Sequence, residues 1–527
     1  MTWKPYYQPH EKLVRFMDKI WPDAVTFGEV TLVPGKSNVV PAKADTCSYF
    51  SRNVPLLVPI VSAAMDTVTR GRMARGIAEV GGLGIIDKNM TPKEQAEEVQ
   101  WAKHGRSALT PEPVTFTPDV TLGYILEEKA RRKYEFSSFP IVEGKKLVGL
   151  ITGHDFEYAS DNLSQRVDAL MTRDVITGSK GLKADDAYKL MKERKLKKLP
   201  LVDENGDLAG MYDWDQLLKA MKLGPKGNVD SKGQLYVGAA IGVYDFERAE
   251  LLIKAGVNVL VIDSAHGHSD NVMNSTEEMK KRMKAEKDEI ETVGEIKKQR
   301  WPPVDVVSGN ISTDEGAKDL LDKGADGIKV GQGGGAICTT RIIAGAGIPQ
   351  VSAVYDACTA VKGEVPVCSD GGITYSGDIT KAIGTGSQSV MIGTQLAGVD
   401  ESPSAEVFYK GRRWKKVRGM GSLSAMKESQ ASRERYRQGD TSLTMHSTKL
   451  VPEGVEGLTP HKGKLEDFIF MLVGGLQAGM GYVGAATIEE LNLKGHFRRM
   501  SAAGVRESHP HDIQIAEESP NYQAKSE

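Results

Sequence analysis

The sequence predicts an α/β protein built on a (β/α)8 TIM barrel, with a smaller module inserted into the barrel. Short apolar runs rich in Val and Ile recur through most of the 527 residues and end in polar or Gly residues. Helical-period segments such as "EGAKDLLDKGAD" and "DITKAIGTGS" lie between many of them. Continuous apolar runs that alternate with helices indicate a parallel sheet buried on both faces. About eight runs are present, the number that closes a barrel, whereas a doubly wound open sheet more often has about five to seven strands.

The residues that follow the apolar runs are the candidate site residues, because barrel active sites form at the C-terminal ends of the strands. In chain order the runs are "PLLVPIVSAAMD", "GGLGIIDKN", "LYVGAAIG", "NVLVIDSAHG", "VDVVSGN", "GIKVGQGGG", "VPVCSDGG" and "SVMIGTQLAG". Their ends supply Ser62, Ala63, Met65, Asp263, Ser264, His266, Asn310, the loop to Cys338, Asp370, Gly371, Gly372, Gly393 and Thr394. The glycines after the last two runs suit a phosphate, since they expose backbone N–H groups, although glycine also simply makes turns.

A repeat interrupts the barrel pattern after the second run. "SSFPIVEGKKLVGLITGHDF" is echoed by "KKLPLVDENGDLAGMYDWDQL", with Pro140 and Pro200 in matching places, and each copy reads helix, strand, turn, strand, helix. We therefore divide the chain into a first barrel part at 1–106, a repeat module at 107–224 and a second barrel part at 225–527. A long polar stretch at about 427–460 is expected to form a functional flap or to be disordered.

The repeat resembles a tandem CBS (Bateman) module, which implies binding of adenine or guanine nucleotides. Thr152 and Asp155 of "ITGHD" match the ribose-contacting positions of that family, whereas the second copy has Asp215 but Tyr212 in place of Thr. The resemblance therefore supports a nucleotide mainly at the first copy. A purely structural pair is the alternative.

Composition argues against several classes of partner. The formal net charge is -2, so no excess of Lys and Arg exists to neutralise nucleic acid or an anionic membrane. No apolar run reaches the length needed to span a bilayer, and "MTWKPYYQPHEKLVRF" holds no signal-peptide core. The four cysteines of this long chain are expected to be reduced thiols. We expect a cytoplasmic protein.

Cys338 is the cysteine with two open interpretations. It lies in the glycine-rich loop "KVGQGGGAICTTR" above the predicted barrel mouth, where a lowered pKa would make it a nucleophile. The alternative is a small buried residue, which is how we interpret Cys47, Cys358 and Cys368.

Several longer motifs resemble the inosine-5'-monophosphate (IMP) dehydrogenase family of the bacterial type. They are "CTTR", "AGAGIPQ", "SDGGITYSGDI", "RGMGS", "KLVPEGVEG" and the terminal "ESHPHD" and "ESPNY". The resemblance covers nearly the whole chain, including the inserted repeat. It implies oxidation of IMP to xanthosine monophosphate (XMP) with NAD.

The resemblance also implies a role for each candidate residue. Cys338 would attack C2 of the hypoxanthine ring, and Arg435 and Tyr436 of "RERYRQG" would then approach with Thr340 to activate water. The substrate would be bound by Ala63, Met65, Asp370, Gly371, Gly372, Gly393, Thr394, Gly419, Met420, Gly421 and Glu453. The dinucleotide would be bound by Asp263, Ser264, Asn310 and Gly331.

A monovalent cation, usually K⁺, is a further implication of the resemblance. Carbonyl groups of Gly333, Gly335 and Cys338 would bind it, and Glu507, Ser508 and His509 of a neighbouring subunit would complete the shell. Because one site would then need two chains, the resemblance implies a homotetramer.

This chain departs from the family pattern at several positions. Ala336 stands in place of a phosphate-binding Ser, Val417 in place of a Tyr that reaches the phosphate, and Asp87 in place of a His. Thr394 keeps a hydroxyl where Ser is usual, and Gln332 lies within the cation loop.

Three alternatives stay open, and the altered phosphate residues support the second of them. One is a guanosine monophosphate (GMP) reductase, although Leu423 stands where that enzyme has Glu and such enzymes lack the Arg-Tyr flap. A second is a nucleotide-sensing regulatory protein with a degenerate site. A third is a flavin-binding barrel, which would need neither Cys338 nor the flap.

Overall fold

A computed structural model of the chain describes residues 23–103, 109–110, 113–131, 136–158, 161–223, 227–230, 233–284, 292–293, 296–297, 304–436, 450–517, 519 and 521–522. Residues 437–449 of the predicted flap lie outside this part of the chain. The site residues predicted from the sequence all lie within it.

Eight parallel strands form a closed barrel, which confirms the predicted fold class. They are β1 (Ile60–Ser62), β2 (Leu83–Ile86), β3 (Val237–Ile241), β4 (Val259–Asp263), β5 (Asp305–Ile311), β6 (Gly327–Val330), β7 (Val367–Asp370) and β8 (Ser389–Ile392). Each lies within one of the eight apolar runs except β5, which extends one residue past its run to Ile311, and β8 pairs with β1 to close the barrel. Strands β2, β3, β4 and β8 are buried along their whole length, because barrel residues face either the barrel interior or the outer helices.

Helices surround the barrel. They are α1 (Gly71–Glu79), α2 (Pro92–Lys103), α3 (Phe246–Lys254), α4 (Asp270–Lys284), α5 (Asp314–Asp322), α6 (Gln350–Val361), α7 (Ser376–Gly384) and α8 (Leu465–Val483). Helix α8 packs between α7 and α1 and so completes the ring. Among the described helices, none alone is long and apolar enough to cross a membrane, although α8 with the bent helix Ile488–Lys494 passes that test by length and composition.

The inserted repeat folds as two copies of the predicted order. The first copy contains Leu122–Arg131, Phe139–Glu143, Lys146–Ile151 and Gly153–Tyr158. The second contains Ala184–Arg194, Lys198–Val202, Leu208–Asp213 and Trp214–Leu223. Short strands Leu109–Thr110 and Gly178–Ser179 join the sheet of the second copy, and a 3-10 turn forms at Val167–Ala169.

The strand register corrects the predicted equivalence between the copies. Pro140 pairs with Leu150, and Pro200 pairs with Met211. Thr152 therefore corresponds to Asp213, not to Tyr212, and Asp155 corresponds to Gln216, not to Asp215. The sequence comparison was one residue out of step because the turn of the second copy is one residue longer. Tyr212 is instead a core residue, 4% exposed.

The other elements lie around the barrel. A hairpin of Ser48–Ser51 and Val54–Leu56 covers its N-terminal end, where Ser51 and Asn53 bond to Asp305. Strand Val30–Leu32 pairs with Phe497–Arg499, and Glu406–Tyr409, Arg412–Arg418 and Glu456–Pro460 form a separate sheet. The remaining elements are Phe27–Glu29, Pro41–Lys43, Thr292–Val293, Ile296–Lys297, Thr340–Ile343, Thr394–Ala397, Leu423–Glu428, Gln430–Arg435, Ile488–Lys494 and Ala502–Glu507.

Candidate active site

Cys338 lies at the C-terminal end of the barrel, between β6 and the short helix Thr340–Ile343. Its Sγ is 3.2 Å from Thr340 Oγ1, and its backbone N–H donates to the carbonyl of Gly335 at 3.0 Å. The residue is half-buried.

The other three cysteines are not placed for chemistry. Burial raises the pKa of Cys358 and of Cys368 to about 12, which makes both thiols inert. Cys47 was predicted to be buried, and this is wrong: it is exposed beside Asp45 at a turn. Its pKa is nonetheless raised to about 11, chiefly by partial burial of the thiol and then by Asp45.

The segments predicted to bind the base, residues 419–421 and Glu453, lie against one side of the cysteine loop. The N–H of Thr339 donates to the carbonyl of Glu453 at 2.9 Å, and the N–H of Glu453 donates to the carbonyl of Gly421 at 3.0 Å. An ideal Cβ on Gly419 would come 3.2 Å from the carbonyl oxygen of Ile337. Gly419, Met420, Gly421 and Glu453 are thus brought beside Cys338 by backbone hydrogen bonds.

The buried Lys329 contacts Asp263, Asn310 and Asp370, and these four residues form what we call the floor of the site. Lys329 of β6 is 1% exposed, and its Nζ lies 2.7 Å from Asp370 Oδ2 and 3.3 Å from Asp263 Oδ1. It also donates to Asn310 Oδ1, while Asn310 Nδ2 donates to Asp370 Oδ2 at 2.9 Å. Burial lowers the pKa of Lys329, but Asp370 and Asp263 outweigh this effect and the pKa is raised. The ammonium group therefore stays charged and orients both carboxylates.

The predicted phosphate residues lie on adjoining loops. An ideal Cβ on Gly371, whose φ is +97°, would come 3.3 Å from the backbone of Gly334 and Gly335. An ideal Cβ on Gly393 would come 3.1 Å from Met65 Sδ and 3.7 Å from Ala63 Cβ. Gly372 follows Gly371 with φ +80°, and Thr394 begins the short helix after β8. The first, seventh and eighth strand ends therefore meet beside the cysteine loop.

The two departures at the predicted phosphate site are Ala336 and Val417, neither of which carries a hydroxyl. Ala336 is exposed on the cysteine loop. Val417 is 2% exposed and pairs with Gly457 in the separate sheet, within an apolar cluster. Thr394 retains its hydroxyl.

Arg435 and Tyr436 lie over the same floor. Arg435 forms an ion pair with Asp263 Oδ2, and its carbonyl accepts from the N–H of Ala265 at 3.2 Å. The ring of Tyr436 lies against Gly421, where an ideal Cβ would be only 2.6 Å from the ring. Burial raises the pKa of Tyr436 to about 12.

The charged groups in this cluster shift one another's pKa values. Burial raises the pKa of Asp263, but Arg435, Lys329 and Lys88 outweigh it and lower that pKa to about 2. Burial lowers the pKa of Arg435, but Asp263 outweighs it, so the pKa is raised. Arg435 is therefore held as a cation in this arrangement.

A cleft of about 770 Å³ opens next to the ion pair. It is lined by Lys88, Val243, Tyr244, Asp263, Ser264, His266, His268, Ser269, Asp270, Asn271, Val272, Gln430, Glu434 and Arg435. Two of the predicted dinucleotide residues, Asp263 and Ser264, thus line it. Asn310 and Gly331 lie deeper: the Asn310 amide donates to the carbonyl of Gly331 at 2.7 Å. A contact of these two with a dinucleotide stays a prediction.

The predicted cation residues are divided between two regions. Gly333, with φ +71°, and Gly335 lie on the cysteine loop. Glu507 ends the helix Ala502–Glu507, the Ser508 hydroxyl donates to the Gly504 carbonyl, and His509 Nδ1 lies 2.9 Å from the Tyr522 hydroxyl. Within the described part of the chain, no hydrogen bond joins these residues to the cysteine loop of the same subunit.

The carbonyl donors of the loop suit a hard monovalent cation. Among the described residues, the Gly335 carbonyl accepts one hydrogen bond, from Cys338, and a carbonyl oxygen has a second lone pair that a cation can use. Gln332 is anchored away from the loop interior, since its side chain bonds to Ser312 and to the carbonyl of Ala265.

The sequence pattern missed four residues of the site: Lys329, Lys88, Asn89 and Arg418. Lys329 and Lys88 are polar positions within or directly after an apolar strand, which is a signal that was available. Lys88 Nζ donates to the carbonyl of Asp263 at 3.1 Å, and burial lowers its pKa to about 8. Asn89 ends the run "GGLGIIDKN" and Arg418 begins the motif "RGMGS", so both lay within quoted segments without being singled out.

The fold and the site together define an enzyme of the (β/α)8-barrel class, with a cysteine thiol and a buried ionic cluster at the C-terminal ends of the strands. The model of the IMP dehydrogenase / GMP reductase domain matches residues 24–511. The chain belongs to the IMP dehydrogenase / GMP reductase family.

Similar proteins cover almost the whole chain. An inosine-5'-monophosphate dehydrogenase of Aquifex aeolicus is 44% identical over 95% of this chain and 98% of its own length. One from Bacillus subtilis is 42% identical over 95% and 98%. Among solved structures, a cysteine-to-alanine variant of GMP reductase from Trypanosoma brucei in complex with guanosine 5'-monophosphate has a TM-score of 0.82 at 35% identity, covering 95% of this chain and 100% of that chain.

Proposed function

We propose that this enzyme oxidises IMP to XMP with NAD, through a covalent bond between Cys338 and C2 of the purine. The observation that carries the proposal is that Cys338, Thr340 and the Arg435–Tyr436 pair share one site. A thiol alone would serve several barrel chemistries. A thiol that lies beside polar residues able to bind and activate a water molecule suits an oxidation that ends in hydrolysis.

We assign substrate binding to residues at the floor of the site and on the loops beside it. Both hydrogen bonds of the described residues to the Asp370 side chain reach Oδ2, which leaves Oδ1 for the ribose hydroxyls. Backbone N–H groups near Gly372 and Gly393 suit the phosphate, and Thr394 adds a hydroxyl. Met420 and Glu453 lie beside Cys338, where the purine would be held.

The reaction has two stages whose atoms balance. In the first, the Cys338 sulfur bonds to C2, and hydride leaves C2. When bound, NAD supplies the acceptor for that hydride. In the second, water adds at C2 and gives up one proton to solvent, the carbon–sulfur bond breaks, and Cys338 is regenerated as the thiolate as XMP forms. Asp263 and Ser264, which line the cleft, would hold the dinucleotide.

The second stage is assigned to Thr340, Arg435 and Tyr436. Arg435 cannot readily lose a proton while it is paired with Asp263, since its pKa is raised. We therefore assign it first to holding and polarising the water next to Thr340. The ion pair also means that Arg435 and a dinucleotide compete for Asp263.

Three partners are part of this proposal. A monovalent cation, K⁺ by preference, would bind the carbonyls of Gly333, Gly335 and Cys338. Glu507, Ser508 and His509 of a neighbouring subunit would complete the shell, in the homotetramer that the family resemblance implies. Adenine or guanine nucleotides would bind the inserted repeat at Thr152 and Asp155.

GMP reductase activity is the second candidate, because the Trypanosoma brucei GMP reductase shares this fold over 95% of the chain. Two features oppose it. Leu423 stands at the start of the helix Leu423–Glu428 without a carboxylate, and it is 39% exposed. Arg435 and Tyr436 are seated in the site, which a reductase has no reason to provide.

The test is absorbance at 340 nm with purified protein, IMP, NAD and K⁺, for the unmodified chain, Cys338→Ala and the control Cys358→Ala. We expect NADH and XMP to form with the unmodified chain and the control, and not with Cys338→Ala. NADPH consumption with GMP, and none of these products from IMP, would move the assignment to the reductase. No reaction in either assay would favour a nucleotide-sensing regulatory protein with a degenerate site.

A further inference from the structure

We propose that the side-chain amide of Asn89 is a positioning residue for the hydrolytic stage, because it holds the helix Gln430–Arg435 on the barrel. This inference rests on the proposed function for its catalytic consequence, although the contacts themselves do not. Asn89 follows β2, and the helix ends at Arg435.

Asn89 contacts both serines at the start of this helix. Ser429 Oγ donates to Asn89 Oδ1 at 2.9 Å, and Ser432 Oγ lies 3.3 Å from the same oxygen and 3.1 Å from Asn89 Nδ2. Ser429 is also the N-cap, since its Oγ accepts from the N–H of Ser432 at 3.4 Å. Ser432 is 1% exposed, so these hydrogen bonds are shielded from water.

The amide of Asn89 is itself held in one orientation. Its Nδ2 donates to Asp66 Oδ2 at 3.0 Å, and its backbone N–H donates to Asp87 Oδ1 at 2.8 Å. Asp66 is in turn paired with Arg418, whose Nη2 lies 2.7 Å from Asp66 Oδ2. Because the Asp66 carboxylate can only accept, it determines which Asn89 atom is the donor, and Oδ1 is left to face the serines.

The opposite end of the helix carries the chemistry. Ser432 and Arg435 are three residues apart, so they lie on the same face of the helix. Arg435 pairs with Asp263 at one end while Ser432 bonds to Asn89 at the other. A helix of six residues is not stable alone, so its position depends on contacts with the barrel.

The contacts of Asn89 should therefore affect the two stages of the reaction differently. Hydride transfer uses Cys338 and the dinucleotide and does not need Arg435 in place. Hydrolysis does need it. Removal of the Asn89 amide should therefore slow hydrolysis and leave hydride transfer intact.

The experiment compares Asn89→Ala with Ser432→Ala, their double variant and the control Asn53→Ala. The control removes an asparagine that also bonds an aspartate, Asp305 Oδ1 at 2.8 Å, at the other end of the barrel. Three quantities are measured in the intact protein: the NADH burst in the first turnover, the steady-state rate, and amide hydrogen exchange of residues 429–436 without ligands.

For Asn89→Ala we expect a steady-state rate about tenfold lower, since roughly two hydrogen bonds are lost, with the burst amplitude unchanged. Amides 429–436 should exchange faster, and Ser432→Ala should add little in the double variant. Equal loss of burst and steady-state rate, or unchanged exchange, would overturn the proposal. If the unmodified chain forms no NADH, the proposed function fails, and the exchange comparison still decides whether Asn89 holds the helix.

Discussion

The Nζ of Lys329 lies 2.7 Å from Oδ2 of Asp370, in a part of the barrel where the lysine is almost fully buried. The same ammonium group reaches Asp263 at 3.3 Å. Asp370 faces the predicted ribose site, and Asp263 faces the cleft and Arg435. One lysine therefore contacts both the carboxylate assigned to the substrate and the carboxylate assigned to the dinucleotide.

Lys329→Met should raise the KM for IMP by about tenfold or more, since Asp370 loses the donor that orients it. It should also lower the free energy of unfolding by about 3–5 kcal/mol, because the partly buried Asp370 loses its cation and the buried Asp263 loses one of the cations around it. Initial rates and urea denaturation measure both effects. Lys280→Met is the control, since Lys280 pairs with Asp326 away from the site. A normal KM in Lys329→Met would contradict the assigned role.

Arg435→Gln should reduce the steady-state rate by roughly 100-fold, because the water loses its positioning group. The first-turnover NADH burst should persist, and the covalent adduct on Cys338 should accumulate. Rapid mixing and mass spectrometry of the intact chain test this. Arg433→Gln, which alters a cation on the same helix that bonds to the carbonyl of Met426, should leave the rate near normal. Loss of the burst in Arg435→Gln would show that Arg435 acts earlier.

Ala336→Ser should lower the KM for IMP by about fivefold, because a hydroxyl next to a phosphate adds a charge-assisted hydrogen bond. The kcat should change little, since the phosphate is remote from the reacting carbon. Ala344→Ser, also on an exposed part of this loop, is the matched control. An unchanged KM in Ala336→Ser would mean that this chain holds the phosphate without that position.

Asp87→Asn should flatten the pH dependence of stability between about pH 4 and pH 6. Burial raises the pKa of Asp87 from 3.8 to about 6, although Arg70 lies 3.3 Å away. The folded state therefore binds the proton more tightly than the unfolded state. The stability that this proton contributes is complete below pH 3.8 and is lost as the pH rises through 6, about 3 kcal/mol in all.

Urea denaturation of Asp87→Asn across that range gives the measurement. Asp45→Asn is a control of opposite sign, because hydrogen bonds from Cys47 lower the pKa of Asp45, and its contribution is lost as the pH falls. A slope in Asp87→Asn equal to that of the unmodified chain would contradict the prediction.

Local patterns determined the barrel and much of its site. Each apolar run contains one barrel strand, because a strand covered on both faces needs apolar side chains at most of its positions. Parallel strands place their C-terminal ends on one side, so the order of runs also predicted that Cys338, Asp370 and Asp263 would be neighbours. The cysteine itself was ambiguous, and the exposed position of Cys47 was not foreseen.

The tertiary structure decided which distant side chains meet. Lys329, Asp263 and Asp370 come from three strands, and Asn89 contacts serines more than 300 residues later along the chain. Such pairs depend on barrel closure and strand register, which no short segment encodes. The one-residue shift between the two copies of the repeat shows the same limit. A longer turn displaced the motif, and only the hydrogen-bonded pairing of the strands revealed it. Sequence thus determined which residues are buried or lie at strand ends, because burial follows local periodicity. Structure decided their partners, because partners follow from packing across the whole barrel.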